Sequence, residues 1–282
     1  MNDELSLLIR HQTGFTYAGL AIESYNEARM TPVTTKSQDV VWSTLRVDPA
    51  VEWNSYVDYF GSTVSTFEVH EPHHQLEVEA VSVVRSRGAE LSVPLSWREF
   101  DDSNFLSNFA EYLTKTKRST IEWKDFVELS VRARERDVHE GVELVANYVR
   151  EEMDYLRGVT TVSSTAQEAW DRRAGVCQDI THVTIGVLRA MGVPARYVSG
   201  YLYPSTLLPA GQVTSGESHA WVEYFSGEWT GIDPTNGLRE SAHHVLVGRG
   251  RDYDDVPPLK GIYEGPPVTH LGVTVDMAIE ID

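Results

Sequence analysis

Gly175-Val176-Cys177-Gln178-Asp179-Ile180-Thr181-His182-Val183-Thr184-Ile185-Gly186-Val187-Leu188-Arg189-Ala190-Met191-Gly192-Val193-Pro194 opens on a glycine, takes up helical spacing at once and stops on Gly-Val-Pro. Ile180, Val183, Thr184, Val187, Leu188 and Met191 fall on one face, the stripe of a buried helix. Gly192 caps that helix and Pro194 cannot continue it. Cys177, the chain's only cysteine, stands at its predicted first turn. Free amides and the helix dipole there favour a thiolate over a thiol. Gly175 permits a sharp entry, so the sulfur can face solvent while the helix is buried. The backbone amide of Cys177 or of Gln178 is then a candidate oxyanion donor.

A thiol nucleophile needs a base, and the strands beyond the helix supply one. Ala195 to Tyr203 and Ser218 to Phe225 read as strands, and His219 lies near the start of the second. Ser226-Gly227-Glu228 reads as a turn into Trp229-Thr230-Gly231-Ile232-Asp233, followed by Pro234-Thr235-Asn236. A three-residue loop pairs Phe225 with Trp229 and sets His219 and Asp233 on one face as diagonal neighbours, ~7–8 Å apart at the backbone. A two-residue loop sets them on opposite faces. A Cys177–His219–Asp233 triad therefore requires the odd-length loop. Each residue alone has a plain structural reading: a packed cysteine, a satisfied strand histidine, an aspartate capping its own turn.

Upstream of the helix the spacing is helical at Phe105 to Thr114, Trp123 to Arg136 and Val142 to Glu152, and Thr165-Ala166-Gln167-Glu168 fits a capping box. From Leu5 to about Arg87 the chain reads as strands. Leu76, Val78, Ala80, Ser82 and Val84 alternate with Glu77, Glu79, Val81, Val83 and Arg85; Val41, Ser43, Leu45 and Val47 alternate until Asp48-Pro49; Tyr59 to Val64 reads as a hairpin turning at Gly61-Ser62. At the other end Leu271, Val273, Val275, Met277, Ile279 and Ile281 share one face of a half-buried strand. The expected architecture is α+β. An antiparallel β-sandwich-like domain spans residues 1–88. A core of residues 89–282 follows, with its nucleophile at a helix N-terminus packed on an antiparallel sheet, and includes the C-terminal strands.

The chain has 282 residues with 41% hydrophobic and 23% charged, ordinary values for a globular protein. Its net charge of -18 repels phosphate backbones and anionic lipid, which argues against nucleic-acid and membrane partners. One cysteine excludes an intrachain disulfide. The stretch Met1 to Leu20 lacks a basic start followed by a long apolar run, so a cytoplasmic location is the expectation.

Four blocks now stand in order: Gly175-Val176-Cys177-Gln178-Asp179, Arg189-Ala190-Met191-Gly192-Val193-Pro194-Ala195-Arg196-Tyr197-Val198-Ser199-Gly200-Tyr201, Ser218-His219-Ala220-Trp221-Val222 and Asp233-Pro234-Thr235-Asn236. They resemble the bacterial transglutaminase-like proteins. Asp58-Tyr59-Phe60-Gly61 and Gly248 to Pro258 resemble the N-terminal region and the segment after the core in the same family. The resemblance implies a papain-like, transglutaminase-like core with Cys177 as nucleophile, His219 as general base and acid, and Asp233 as orienting carboxylate. Peptide or protein amides would be its substrates. Cross-linking enzymes carry a tryptophan after the cysteine where this chain has Gln178, which leaves hydrolysis at least as open as amine transfer. No calcium loop is visible, and no cofactor is implied.

Around the triad, Gln178, Asp179, His182, Tyr201 and Trp221 are candidates for the oxyanion hole or pocket wall, each also readable as packing. Arg196, in an apolar strand, calls for a buried partner, with Asp179 the first choice. His70-x-x-His73-His74 lacks a carboxylate ligand, and His243 and His244 point apart on a strand, so no metal is expected. A non-catalytic interaction module with this fold is the rival reading. The intact Cys-His-Asp set speaks against it.

Overall fold

The computed structural model describes residues 4–204 and 208–280. The architecture is α+β, built mostly from antiparallel strands. Long strands Leu5–Ala21, His73–Ser86 and Gln38–Asp48 lie side by side. Facing them is a smaller sheet in the order Leu259–Glu264, Glu23–Thr31, Thr63–Val69, Trp53–Val57. Leu45, Val47, Leu76, Val78 and Ala80 from one sheet meet Ala28, Met30, Phe67, Val69 and Leu259 from the other in one buried cluster. This is the sandwich-like N-terminal region. The alternation at Leu76, Val78, Ala80, Ser82 and Val84 is its inward face, every one of them buried. Val41 departs from the pattern: a bulge between Val40 and Trp42 exposes it. The hairpin near Gly61 is present with a longer turn. Val57 pairs with Thr63, and Asp58 Oδ1 accepts from the amides of Phe60 and Ser62.

The C-terminal strands, which the division at residue 88 groups with the helical half, pair instead with the N-terminal strands. Val268–Ile279 pairs with Leu5–Ala21, and Leu259–Glu264 pairs with Glu23–Thr31, so the chain's end completes both N-terminal sheets. Val275 and Met277 are buried as the alternation predicts, whereas Leu271 and Val273 are exposed; Ile281 lies outside the described residues. One strand ties the halves together. Thr214–Gly216 pairs with the C-terminal strand, and the rest of Thr214–Ser226 pairs with Ala195–Leu202 and Glu228–Asp233.

The helices gather around Cys177–Ala190. Its neighbours are Val138–Glu152, Ala166–Arg172 and the strand face carrying Ala220, Val222 and Tyr224. The helix is buried on every side from Gln178 to Arg189, not on a single stripe. The capping box forms, with Thr165 and Glu168 each bonding the other's amide. Gly192 ends the Cys177 helix at φ +86, a conformation glycine takes without strain. Near residue 109 the predicted single helix is two short ones, Ser103–Asn108 and Ala110–Leu113. Phe109 leaves the helical path between them; it and Phe105 lie against Phe225, and Phe109 also meets Trp229.

Candidate active site

Local sequence sets the position of Cys177. Arg173 adopts a left-handed conformation at φ 52 and closes the preceding helix. Ala174 and Gly175 pair in parallel with Asp154 and Tyr155, and the chain then enters the Cys177 helix. Asp179 reaches back across this entry. Its Oδ2 accepts from the Val176 amide at 2.9 Å and from Thr160 Oγ1 at 2.7 Å. A Cβ at position 175 would lie 2.6 Å from the Asp179 side chain. Glycine is therefore required for space rather than for turn geometry. Burial raises the Asp179 carboxyl above its ordinary value against these two hydrogen bonds. Thr181 Oγ1 donates to the Ala220 carbonyl at 3.1 Å, pinning the helix to the strand that carries His219.

Gly175→Ala forces that carboxylate off the Val176 amide. We expect a stability loss of about 1–3 kcal/mol, the range for overpacking. Slower iodoacetamide labelling of Cys177 should accompany it, read by thermal unfolding and mass spectrometry. Labelling at the wild-type rate would mean that Asp179 does not set the cysteine's position.

The hairpin has the odd-length loop. Phe225 pairs with Trp229 and Ser226 with Glu228, so His219 and Asp233 share a face. His219 Nε2 lies 2.8 Å from Asp233 Oδ2, and Cys177 is a close enough neighbour to act on the ring's proton affinity. The thiol is partly buried, the imidazole and carboxylate fully so. Burial alone would lower the imidazole's proton affinity. The hydrogen bonds and charges of Asp233 and Cys177 reverse this and raise it to about 10. Burial likewise opposes ionisation of Asp233, yet its donors hold it well below the usual carboxylate range. Those donors include the backbone amides of Thr235 and Asn236 on Oδ1, and the Asn236 side-chain amide on Oδ2 at 2.8 Å. Asp233 thus caps its own turn and orients the histidine at once.

The flanking candidates separate. Gln178 Nε2 donates to the Val162 carbonyl at 3.3 Å, so its side chain ties down a neighbouring loop. His182 is fully buried and does not line an open cleft: its Nε2 accepts from the Tyr253 amide, and burial pushes the ring down to about 3. Tyr201 is buried too, with its hydroxyl on the Met30 carbonyl and against His11; it packs at the junction with the N-terminal sheets instead of walling the site. Trp221 is buried behind the histidine, stacked on it at 6.2 Å, with Nε1 on Glu240. Arg196 does not meet Asp179. Its Nε lies 2.6 Å from Glu223, and its guanidinium sits over Trp229.

His244, expected only to point away from His243, meets Asp233. Its Nε2 lies 3.3 Å from Asp233 Oδ2. Adjacent strand histidines point apart, and of this pair His244 is the one turned into the core. Ligand atoms of His219, Asp233 and His244 lie within 4.8 Å of one another, a spacing that could hold a metal ion. In this arrangement the same atoms are hydrogen-bonded together.

Comparison with known proteins matches residues 7–85 to the bacterial transglutaminase-like N-terminal region and residues 126–234 to the transglutaminase-like superfamily. An uncharacterized protein of Mycobacterium leprae is 38% identical over 268 residues, covering 95% of this chain and 96% of its own. A protein-glutamine gamma-glutamyltransferase of Pseudomonas aeruginosa is 36% identical over 110 residues, which is 35% of this chain and 16% of that protein. Among solved structures, a proposed cysteine protease from Cytophaga hutchinsonii superposes with a TM-score of 0.77 at 18% identity, covering 99% of this chain and 92% of that one, and so shares its fold. The chain belongs to the bacterial transglutaminase-like proteins.

Proposed function

We propose that the protein is a thiol enzyme that attacks amide carbonyls, with Cys177 as nucleophile, His219 as proton carrier and Asp233 as its orienting carboxylate. The observation that carries this reading is the buried His219 ring bonded to Asp233, with Cys177 close enough to help raise the ring's proton affinity. The Cys177 sulfur adds to the carbonyl carbon, and the negative charge moves to oxygen. First-turn amides at Cys177 and Gln178, which have no carbonyl a turn earlier in the helix to bond, are the donors proposed for that oxygen. The C–N bond then breaks, the leaving amine takes its proton from His219, and a thioester remains on Cys177. Water attacks the thioester while His219 accepts its proton, giving the carboxylic acid and the free thiolate.

An amine in place of water would give transfer instead of hydrolysis. The glutamyltransferase among the relatives supports keeping that outcome in view. Gln178 tied to the Val162 carbonyl, where cross-linkers have tryptophan, supports hydrolysis. Peptide or protein amides are the proposed substrate class.

The test is labelling of the folded protein by peptide-based electrophiles that mimic an amide, read by mass spectrometry. We expect a single adduct on Cys177, formed faster than on a free thiol at the same pH. Labelling only after denaturation would rule the reading out. The pH dependence has a definite sign. His219 is raised to about 10, so its proton is available for the leaving amine at neutral pH and is lost as pH rises through that value.

A further inference from the structure

We propose that His244 is a positioning residue for this thiol site: its Nε2 proton fixes Asp233 as an ionised carboxylate aimed at His219. The proposal rests on the reading of Cys177 as nucleophile. His244 is buried at the start of the strand His244–Gly250. Its Nδ1 lies 3.2 Å from the Ser241 amide and 3.3 Å from the Ser241 hydroxyl. A backbone N–H can only donate, so Nδ1 must present its lone pair. In the neutral ring the proton is then on Nε2, which points at Asp233 Oδ2 at 3.3 Å. The Ser241 amide therefore sets the tautomer, and the tautomer makes His244 a donor.

Oδ2 of Asp233 accepts from three side chains: His219, Asn236 and His244. Of these only His219 exchanges its proton in the reaction. The other two are static donors that stabilise the carboxylate against protonation. The same two keep it from rotating away from the imidazole. Around His244 the titratable groups are Asp233 and His219, with Glu240 near enough to feel its charge and its own carboxyl raised by burial. Trp221 meets its ring edge-on at 5.2 Å and holds it in plane. Loss of the His244 proton donor makes Asp233 easier to protonate as pH falls. A protonated Asp233 no longer stabilises the His219 imidazolium, and the reactivity of Cys177 falls with it.

Two nearly isosteric variants separate this role from simple packing. In His244→Gln the side-chain amide nitrogen reaches the position of Nε2 and can donate to Asp233. In His244→Asn it falls near Nδ1 and cannot. The probe is iodoacetamide, with the rate of Cys177 carboxamidomethylation followed from acid to neutral pH by mass spectrometry. We expect His244→Asn to lower the neutral-pH rate about tenfold, the low end for loss of an orienting partner, and to move the acid midpoint upward. His244→Gln should keep both near wild type. An unchanged midpoint in His244→Asn, or identical profiles for the two variants, would overturn the role of His244 while leaving the nucleophile in place. A wild-type protein inert to iodoacetamide at every pH would remove the thiol reading and His244 with it.

Discussion

Cys177→Ala should abolish acyl-enzyme formation and lower turnover of a peptide amide by about 10⁴–10⁶, the range for deletion of a covalent nucleophile. His219→Ala should be nearly as damaging, since a thiol without a partner neither forms its anion readily nor protonates the leaving amine. The two losses should not add. Once the sulfur is absent the imidazole has nothing to activate, and the double variant should match Cys177→Ala within a few-fold. Asp233→Asn should fall close behind, by about 10³–10⁴, because tautomer control fails without the carboxylate. The surroundings make it harsher still. Both carboxylate oxygens accept N–H groups, so an amide NH₂ at either position meets a donor. Folding should survive Cys177→Ala at a cost of about 1 kcal/mol or less, since the thiol is small and partly exposed. Full turnover by Cys177→Ala with none by Asp233→Asn would indicate a carboxylate-centred reaction.

The parts of this site legible in the sequence are those written in local periodicity. A helix announced by its stripe and stopped by Gly192 fixed Cys177 at a first turn. Alternation and the length of one turn fixed His219 and Asp233 on a common face, and the Phe225–Trp229 pairing is the odd-loop register. Contacts between elements distant in sequence were not legible in this way. Arg196 pairs with Glu223 because Ala195–Leu202 lies beside Thr214–Ser226 with those two residues opposite each other, a register that composition does not reveal. His244 reaches Asp233 only once the strand His244–Gly250 has packed beside Ala195–Leu202. The exposure of Leu271 and Val273 also has a tertiary cause. Leu271 lies across a bulge at Gly272 and so loses the phase of Val275 and Met277, while Val273 keeps that phase but does not join their buried cluster with Leu7, Ile9 and Val84. A period-two pattern states which residues share a face and says nothing of what covers it. The break at Phe109 has the same origin, since aromatic packing on the hairpin overrides helix propensity there.

Glu223→Ala should be the most destabilising single change away from the nucleophile. Glu223 is 4% exposed and sits between two guanidinium groups. Its Oε2 takes Arg196 Nε at 2.6 Å and Arg249 Nε at 2.8 Å, and its Oε1 takes Arg249 Nη2 at 3.0 Å. Burial opposes the charge, but the two arginines hold the carboxyl below its ordinary value. Truncation leaves both cations largely desolvated and unpaired, and the expected cost is about 3–5 kcal/mol. For a chain of this size that corresponds to a drop in Tm of roughly 6–20 °C. Glu223→Gln should cost less, because its amide oxygen can still accept from one arginine. The pH dependence follows from the depressed carboxyl. Its contribution is present above the unfolded value and is lost as pH falls through the folded one, so wild type and Glu223→Ala should converge in stability toward acid. Arg196 also stacks on Trp229 at 3.9 Å, in the strand that ends at Asp233. Loosening the Glu223 cluster should therefore reach the site as a modest fall in Cys177 labelling rate, measured well below the variant's Tm. A Tm within 2 °C of wild type, on the order of the shift from a 1 kcal/mol change, would show that the arginines find other partners once Glu223 is gone.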